Sequence, residues 1–140
     1  MKEILLYIWQ LPQNIIGLVW LGILHLLGPV AKEDIPSLSG PKFYKTQNIN
    51  GGVCLGNYIF TCGTPYQQRQ NKDTYLHEYG HHKQSLILGW FYLFIIGIPS
   101  VLGNLWDRIA HTDWPYWDSV RWYYNQPWEA WADKLGNVKR

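Results

Sequence analysis

A chain of 140 residues suits a single domain with a real hydrophobic core, and no repeat or low-complexity segment argues for a second one. The formal charge of +2, without any Lys/Arg stripe, argues against nucleic acid as a partner. Nine Trp and ten Tyr are the unusual counts; that much amphipathic aromatic surface fits a binding cleft, a membrane interface, or both.

Residues 1–31 read as an apolar helical segment interrupted by Gln10, Pro12, Gln13 and Asn14. Its uninterrupted part, Ile15–Leu27, is shorter than the ~20 residues needed to cross a bilayer. Two readings stand: a helix pair broken at Pro12 that packs on the domain, or an interfacial anchor. Lys2 is offset by Glu3, and Gly28-Pro29-Val30-Ala31 makes a poor cleavage site, so a cleavable signal peptide is not expected. His25 reads as a satisfied core or interfacial histidine.

Lys32–Pro41 is charged, then rich in Pro, Ser and Gly, and reads as an exposed connection. Two strand-like runs follow, Lys42–Ile49 and Val53–Phe60, and the intervening Asn50-Gly51-Gly52 predicts a β-hairpin within 42–62. Asn57–Phe60 is the candidate edge for pairing with an extended peptide, with an ordinary core strand as the alternative. On one continuous strand Cys54 and Cys62 would stand roughly 26 Å apart. That is too far for a disulfide, so both are expected to be thiols. They are also too few for a Cys-based zinc site.

A polar stretch over 66–72 leads to a helix predicted to start at Asp73 or Thr74 and to end near Leu88, with Gly89 as stop or kink. This helix carries His77-Glu78-Tyr79-Gly80-His81. Residues four apart lie about 40° apart around a helix, so both imidazoles can bite one metal ion. Glu78 then lies beside that ion, placed to take a proton from a water the metal activates. Gly80 lets another backbone pass close over the motif. His82 points about 100° away and reads as a surface or supporting residue. Leu86–Leu105 has no charged residue, and Gly97-Ile98-Pro99-Ser100 in its middle predicts a hairpin of two short helices or a re-entrant segment. This stretch is the main sign of membrane association.

Two histidines leave a tetrahedral zinc site one protein ligand short. C-terminal helices are expected over 115–136, and the last of them carries Glu129 and Asp133, again four apart on one face. One acid can bind metal while the other accepts the N–H of a ligand histidine. H-E-x-G-H followed by a helical E-x-x-A-D resembles the gluzincin metallopeptidases, most closely the CAAX prenyl endopeptidase and its bacterial heat-shock membrane protease relatives. The resemblance covers these two motifs only. It implies His77, His81 and Glu129 as zinc ligands, Glu78 as general base and Asp133 as the residue that orients a histidine. The site-2 protease family also has an H-E-x-G-H helix, but Asp107 lacks the Asn/Pro context of that family's third ligand. His111 and Asp113 are further metal-reach candidates.

The expected fold is α+β: a mostly helical, minimal zincin-like domain with a small antiparallel hairpin or sheet beside the motif helix. The expected function is zinc-dependent peptide-bond hydrolysis, endopeptidase rather than exopeptidase, on a peptide or protein substrate. The alternative is a catalytically degenerate zincin that holds metal as a binding or sensor module. Candidates for stabilising the oxyanion are His111, Tyr116, Arg121, Tyr123 and Tyr124. A membrane surface is a further possible partner, and the expected location is membrane-associated or cytoplasmic.

Overall fold

Tyr58–Cys62 is buried at every position, and the sheet is built around it. The computed structural model describes residues 1–63 and 71–140. They form an α+β fold in the order α1 (Lys2–Trp9), α2 (Leu11–Leu27), β1 (Val30–Glu33), β2 (Lys42–Thr46), β3 (Gly52–Leu55), β4 (Tyr58–Cys62), α3 (Asn71–Leu88), α4 (Ile98–Ala110), α5 (Tyr116–Tyr124) and α6 (Pro127–Gly136). A 3₁₀ turn (Gly89–Phe91) and a π turn (Leu93–Gly97) join α3 to α4. Of the polar stretch expected over 66–72, residues 66–70 lie outside the described residues and 71–72 belong to α3. Among the described residues the motif helix runs from Asn71, ahead of the expected Asp73 or Thr74.

The sheet runs β1-β2-β4-β3. β4 pairs parallel with β2 on one side and antiparallel with β3 on the other. Period-two alternation then sends its side chains to two cores. Tyr58 and Phe60 pack with Leu24 of α2, while Ile59 packs with Phe43 and Cys54 beneath Tyr75 and Tyr79 of α3. The sheet is therefore clamped between α2 and α3.

This arrangement corrects three expectations. The hairpin turns at Gly56-Asn57, where Leu55 faces Tyr58 and Gly56 takes φ +65°, and not at Asn50-Gly51. Burying β4 on both faces, at about 1.5–3 kcal/mol for each large apolar side chain, outweighs a local turn preference. Asn57–Phe60 is consequently no edge, because β4 is central and β3 is the edge strand. Part of the expected connection is also a strand, since Val30–Glu33 pairs antiparallel with β2. Cys54 and Cys62 are both buried thiols, as expected.

The N-terminal helix pair is broken as expected, but at Gln10, with an 82° bend and Pro12 in the first turn of α2. Its polar residues point inward. Gln13 donates to Ser85 Oγ and to the Gly89 carbonyl, both at 2.9 Å, and Ser85 donates to Gln10 Oε1 at 2.8 Å. Asn14 Oδ1 accepts the Asn57 N–H at 2.8 Å. The apolar hairpin expected around Gly97–Ser100 does not form; Leu93–Ala110 runs on as one 18-residue helical rod. Pro99 falls in the first turn of α4, where its missing N–H costs nothing, and the π turn absorbs the change of hydrogen-bond register.

α6 crosses α3 at backbone contact. A Cβ on Gly80 would stand 1.9 Å from the Ala132 carbonyl oxygen, and one on Gly136 would stand 2.0 Å from that of Leu76. Gly80→Ala is expected to force the helices apart and cost about 1–3 kcal/mol or more, read as a fall in thermal midpoint. Gly22→Ala, with nothing within 4 Å of the new methyl, is expected to be neutral or to stabilise by about 0.5–1 kcal/mol.

Candidate metal centre

The helical repeat of α3 places His77 and His81 on one face, with their Nε2 atoms 3.1 Å apart. Across the tight crossing α6 delivers Glu129, whose Oε2 lies 3.0 Å from His77 Nε2 and 3.1 Å from His81 Nε2. All three are buried, and Glu129 is fully shielded from solvent. These atoms form a group that could hold a metal ion.

The other nitrogen of each ring has a fixed partner. His77 Nδ1–H donates to Asp133 Oδ1 at 2.7 Å. His81 Nδ1–H donates to Gln84 Oε1 at 2.7 Å, and Gln84 sets its own amide by donating to the Trp128 carbonyl at 2.8 Å. With both protons on Nδ1, both Nε2 lone pairs face the centre. Asp133 is steadied in turn by Arg140 Nε at 2.7 Å. The second oxygen of Glu129 is also spoken for: Oε1 accepts from Ser100 Oγ at 2.5 Å and from Tyr123 OH at 3.0 Å. Only Oε2 is turned to the histidines.

Two imidazole lone pairs and a carboxylate oxygen at this spacing repel unless a cation or a proton joins them. His77 registers the demand. Burial alone would lower its pKa, but hydrogen bonds to Asp133 and Glu129 outweigh it and raise the value to about 9. Burial likewise opposes the charge on Glu129, yet the two histidines hold its carboxyl far below the ordinary range. The donor set fits zinc. Tetrahedral bonds of ~2.0–2.1 Å separate neighbouring ligands by roughly 3.3 Å, close to the spacings here. Two imidazoles with one carboxylate also suit zinc far better than the all-oxygen ions calcium and magnesium.

A cleft of about 580 Å³ opens beside the triad, lined by His77, Glu78, His81, edge strand β3 and Tyr124. The Glu78 carboxylate lies against the backbone of Gly52, where an added Cβ would come within 2.6 Å of Oε1. Burial pushes the Glu78 pKa up, and His77 and His81 pull against it.

The remaining candidates scatter. Tyr124 lines the cleft with its ring edge-on to His77, centroids 5.0 Å apart. Tyr123 lines it too, but its hydroxyl is bound to Glu129 and Ser100. His111 is a correction: it caps α4, bonds Asp107 at 2.7 Å and stacks on Trp114, so its ring is engaged away from the triad. Asp107 is occupied by that same contact and by Ser119. Asp113 and Tyr116 are exposed, and exposed Arg121 faces Asp118. His82 is not on the surface; it is buried against the Gly56 carbonyl at 2.8 Å. Gln84, Ser100 and Arg140 were not legible as site residues. Only Gln84 carries a local signal, three positions after His81 on the same helical face.

Comparison of the chain with protein-family models, with curated proteins and with solved structures finds no match.

Because His77 holds a proton below about pH 9, a zinc ion bound at the triad would have to displace it. Apparent zinc affinity is expected to rise about tenfold per pH unit through neutrality and to level off above about pH 9. Calorimetric titrations in buffers of different ionisation heat should show one proton released per zinc at pH 7. Asp133→Asn is expected to weaken zinc by about 10–100-fold, measured by chelator competition.

Proposed function

We propose that the chain is a zinc-dependent metallopeptidase, an endopeptidase, with His77, His81 and Glu129 as the metal ligands and Glu78 as the general base. The observation that carries this reading is the position of Glu78. It lines the cleft next to the triad and is not one of the three converging ligands. A zinc site with a structural role alone has no use for a shielded carboxylate at that spot.

Zinc held there would polarise a substrate carbonyl and bring the pKa of water towards about 7. The protein's own groups do the rest. Among the described residues β3 is an edge strand and its residues line the cleft, so its outward main-chain groups, the Cys54 carbonyl that accepts from Tyr92 OH excepted, can pair with an extended peptide beside the triad. Glu78, with its affinity for a proton raised by burial, takes one from the attacking water and returns it to the leaving nitrogen. Tyr124 is the better oxyanion donor of the two tyrosines, since the hydroxyl of Tyr123 already serves Glu129. Burial pushes the Tyr124 pKa up to about 12, so it stays protonated through neutral pH and keeps its proton to donate.

Glu78→Gln is expected to retain stoichiometric zinc and to lose hydrolysis by a factor of about 10²–10⁴, followed by mass spectrometry of a peptide-library digest. Full activity in that variant would remove the proposal. Zinc binding by the parent protein without any cleavage would favour the metal-holding module instead.

A further inference from the structure

Burial in α1, α2 and the rod Leu93–Ala110 is largely inverted, the Leu24 contact with the sheet apart. On α1 and α2 the polar Gln10, Gln13 and Asn14 are completely shielded, while Leu5, Ile8 and Val19 of the same helices face outward. On the rod Leu93–Ala110 only 6 % of the residues are buried, and Phe94, Val101 and Ile109 stand out from the surface. Within this chain the rod is therefore not covered in the way that the apolar core helix of a water-soluble fold is. The rod also follows the sheet and α3 in the chain, so it is no leader segment.

Charge is arranged to match. No Asp, Glu, Lys or Arg occurs between Glu3 and Lys32, and none between Lys83 and Asp107. Each apolar stretch is thus bracketed by charged residues, and the 18-residue rod is ~27 Å long against a hydrocarbon thickness of ~30 Å. Past its charged end, Trp114, Tyr116 and Trp117 are exposed together, the composition of a membrane–water boundary. A second copy or another protein would be expected to meet polar pairing groups around such a patch. The outward side chains of the rod ahead of Asp107 offer no charge to pair with.

We infer that this face, formed by α1, α2 and the rod Leu93–Ala110, is immersed in the hydrocarbon of a lipid bilayer, with the aromatic group after α4 at headgroup level. The metal cleft opens on the same side. Ile16, Phe94, Ile98, Val101 and Leu102 belong both to its lining and to the exposed apolar surface. The inference rests on burial and charge and stands apart from the hydrolase reading.

The test is flotation of the full chain with neutral phosphatidylcholine vesicles, followed by quenching of its Trp fluorescence with brominated phosphatidylcholine. The chain is expected to float, to stay bound in 1 M salt because the attraction is apolar, and to be quenched. Val101→Glu and Val19→Glu alter exposed positions, and each is expected to lower vesicle partitioning at least about tenfold. Val101→Leu is expected to float like the parent. Glu78→Gln should also float unchanged, which keeps this outcome separate from that of the catalytic proposal. A parent chain that remains monomeric and unfloated would overturn the inference. So would a lipid-free dimer that does not float, or glutamate variants that float like the parent. Quenching of the parent chain needs no variant and decides the matter if the substitutions prevent folding.

Discussion

The closeness of α3 and α6 is the constraint on which the rest of the structure depends. At Gly80 and Gly136 the two backbones leave no room for a Cβ, and Ala132 between them is fully shielded. Here Glu129 comes within 3.0–3.1 Å of both imidazoles. Shielding a carboxylate completely is costly unless its charge is answered. Ser100 and Tyr123 answer one oxygen and the histidines face the other. Packing therefore imposes an electrostatic demand that zinc can meet.

The same division of labour extends to the N-terminal helices. Gln10 and Gln13 reach across to Ser85 near the end of α3 and to the Gly89 carbonyl just past it, and Asn14 holds the β3–β4 turn. Polar contacts thus tie α1 and α2 to the end of α3 and to the β3–β4 turn, while the apolar side chains of both helices, apart from those around Leu24 at the sheet, face outward. In water the reverse is usual, with apolar contact giving the cohesion. Ser100 joins the two regions, since it sits on the apolar rod and hydrogen-bonds the proposed third ligand. Through that one hydroxyl, the surroundings of α4 bear directly on the candidate metal site.

Much of the centre was legible because it depends on local spacing. Four residues separate His77 from His81 and Glu129 from Asp133, so helix geometry alone aims each pair. Pro127 and Gly136 mark the bounds of α6, and Gly80 announces a close approach. What was not legible depends on tertiary pairing. The turn at Gly56-Asn57 lost to the stronger local signal at Asn50-Gly51, because nothing local says that β4 lies between β2 and β3. The helical continuity through Pro99 needs a π turn that no side-chain pattern encodes. Ser100 and Arg140 enter the site from distant positions without any motif, and His111 is engaged by Asp107 and Trp114 as soon as α4 ends.

The two-residue turn at Gly56-Asn57 also orders the assembly of the molecule in time. β3 and β4 meet across the shortest of loops, so their pairing forms with little loss of chain entropy. β2 and β4 run parallel, and the finished hairpin must swing into place beside β2 as a unit. The ligand set closes across a separation of 48 residues, which makes it a late event. A metal ion bound at the triad would then meet a scaffold that is already built, and would lock the molecule instead of nucleating it.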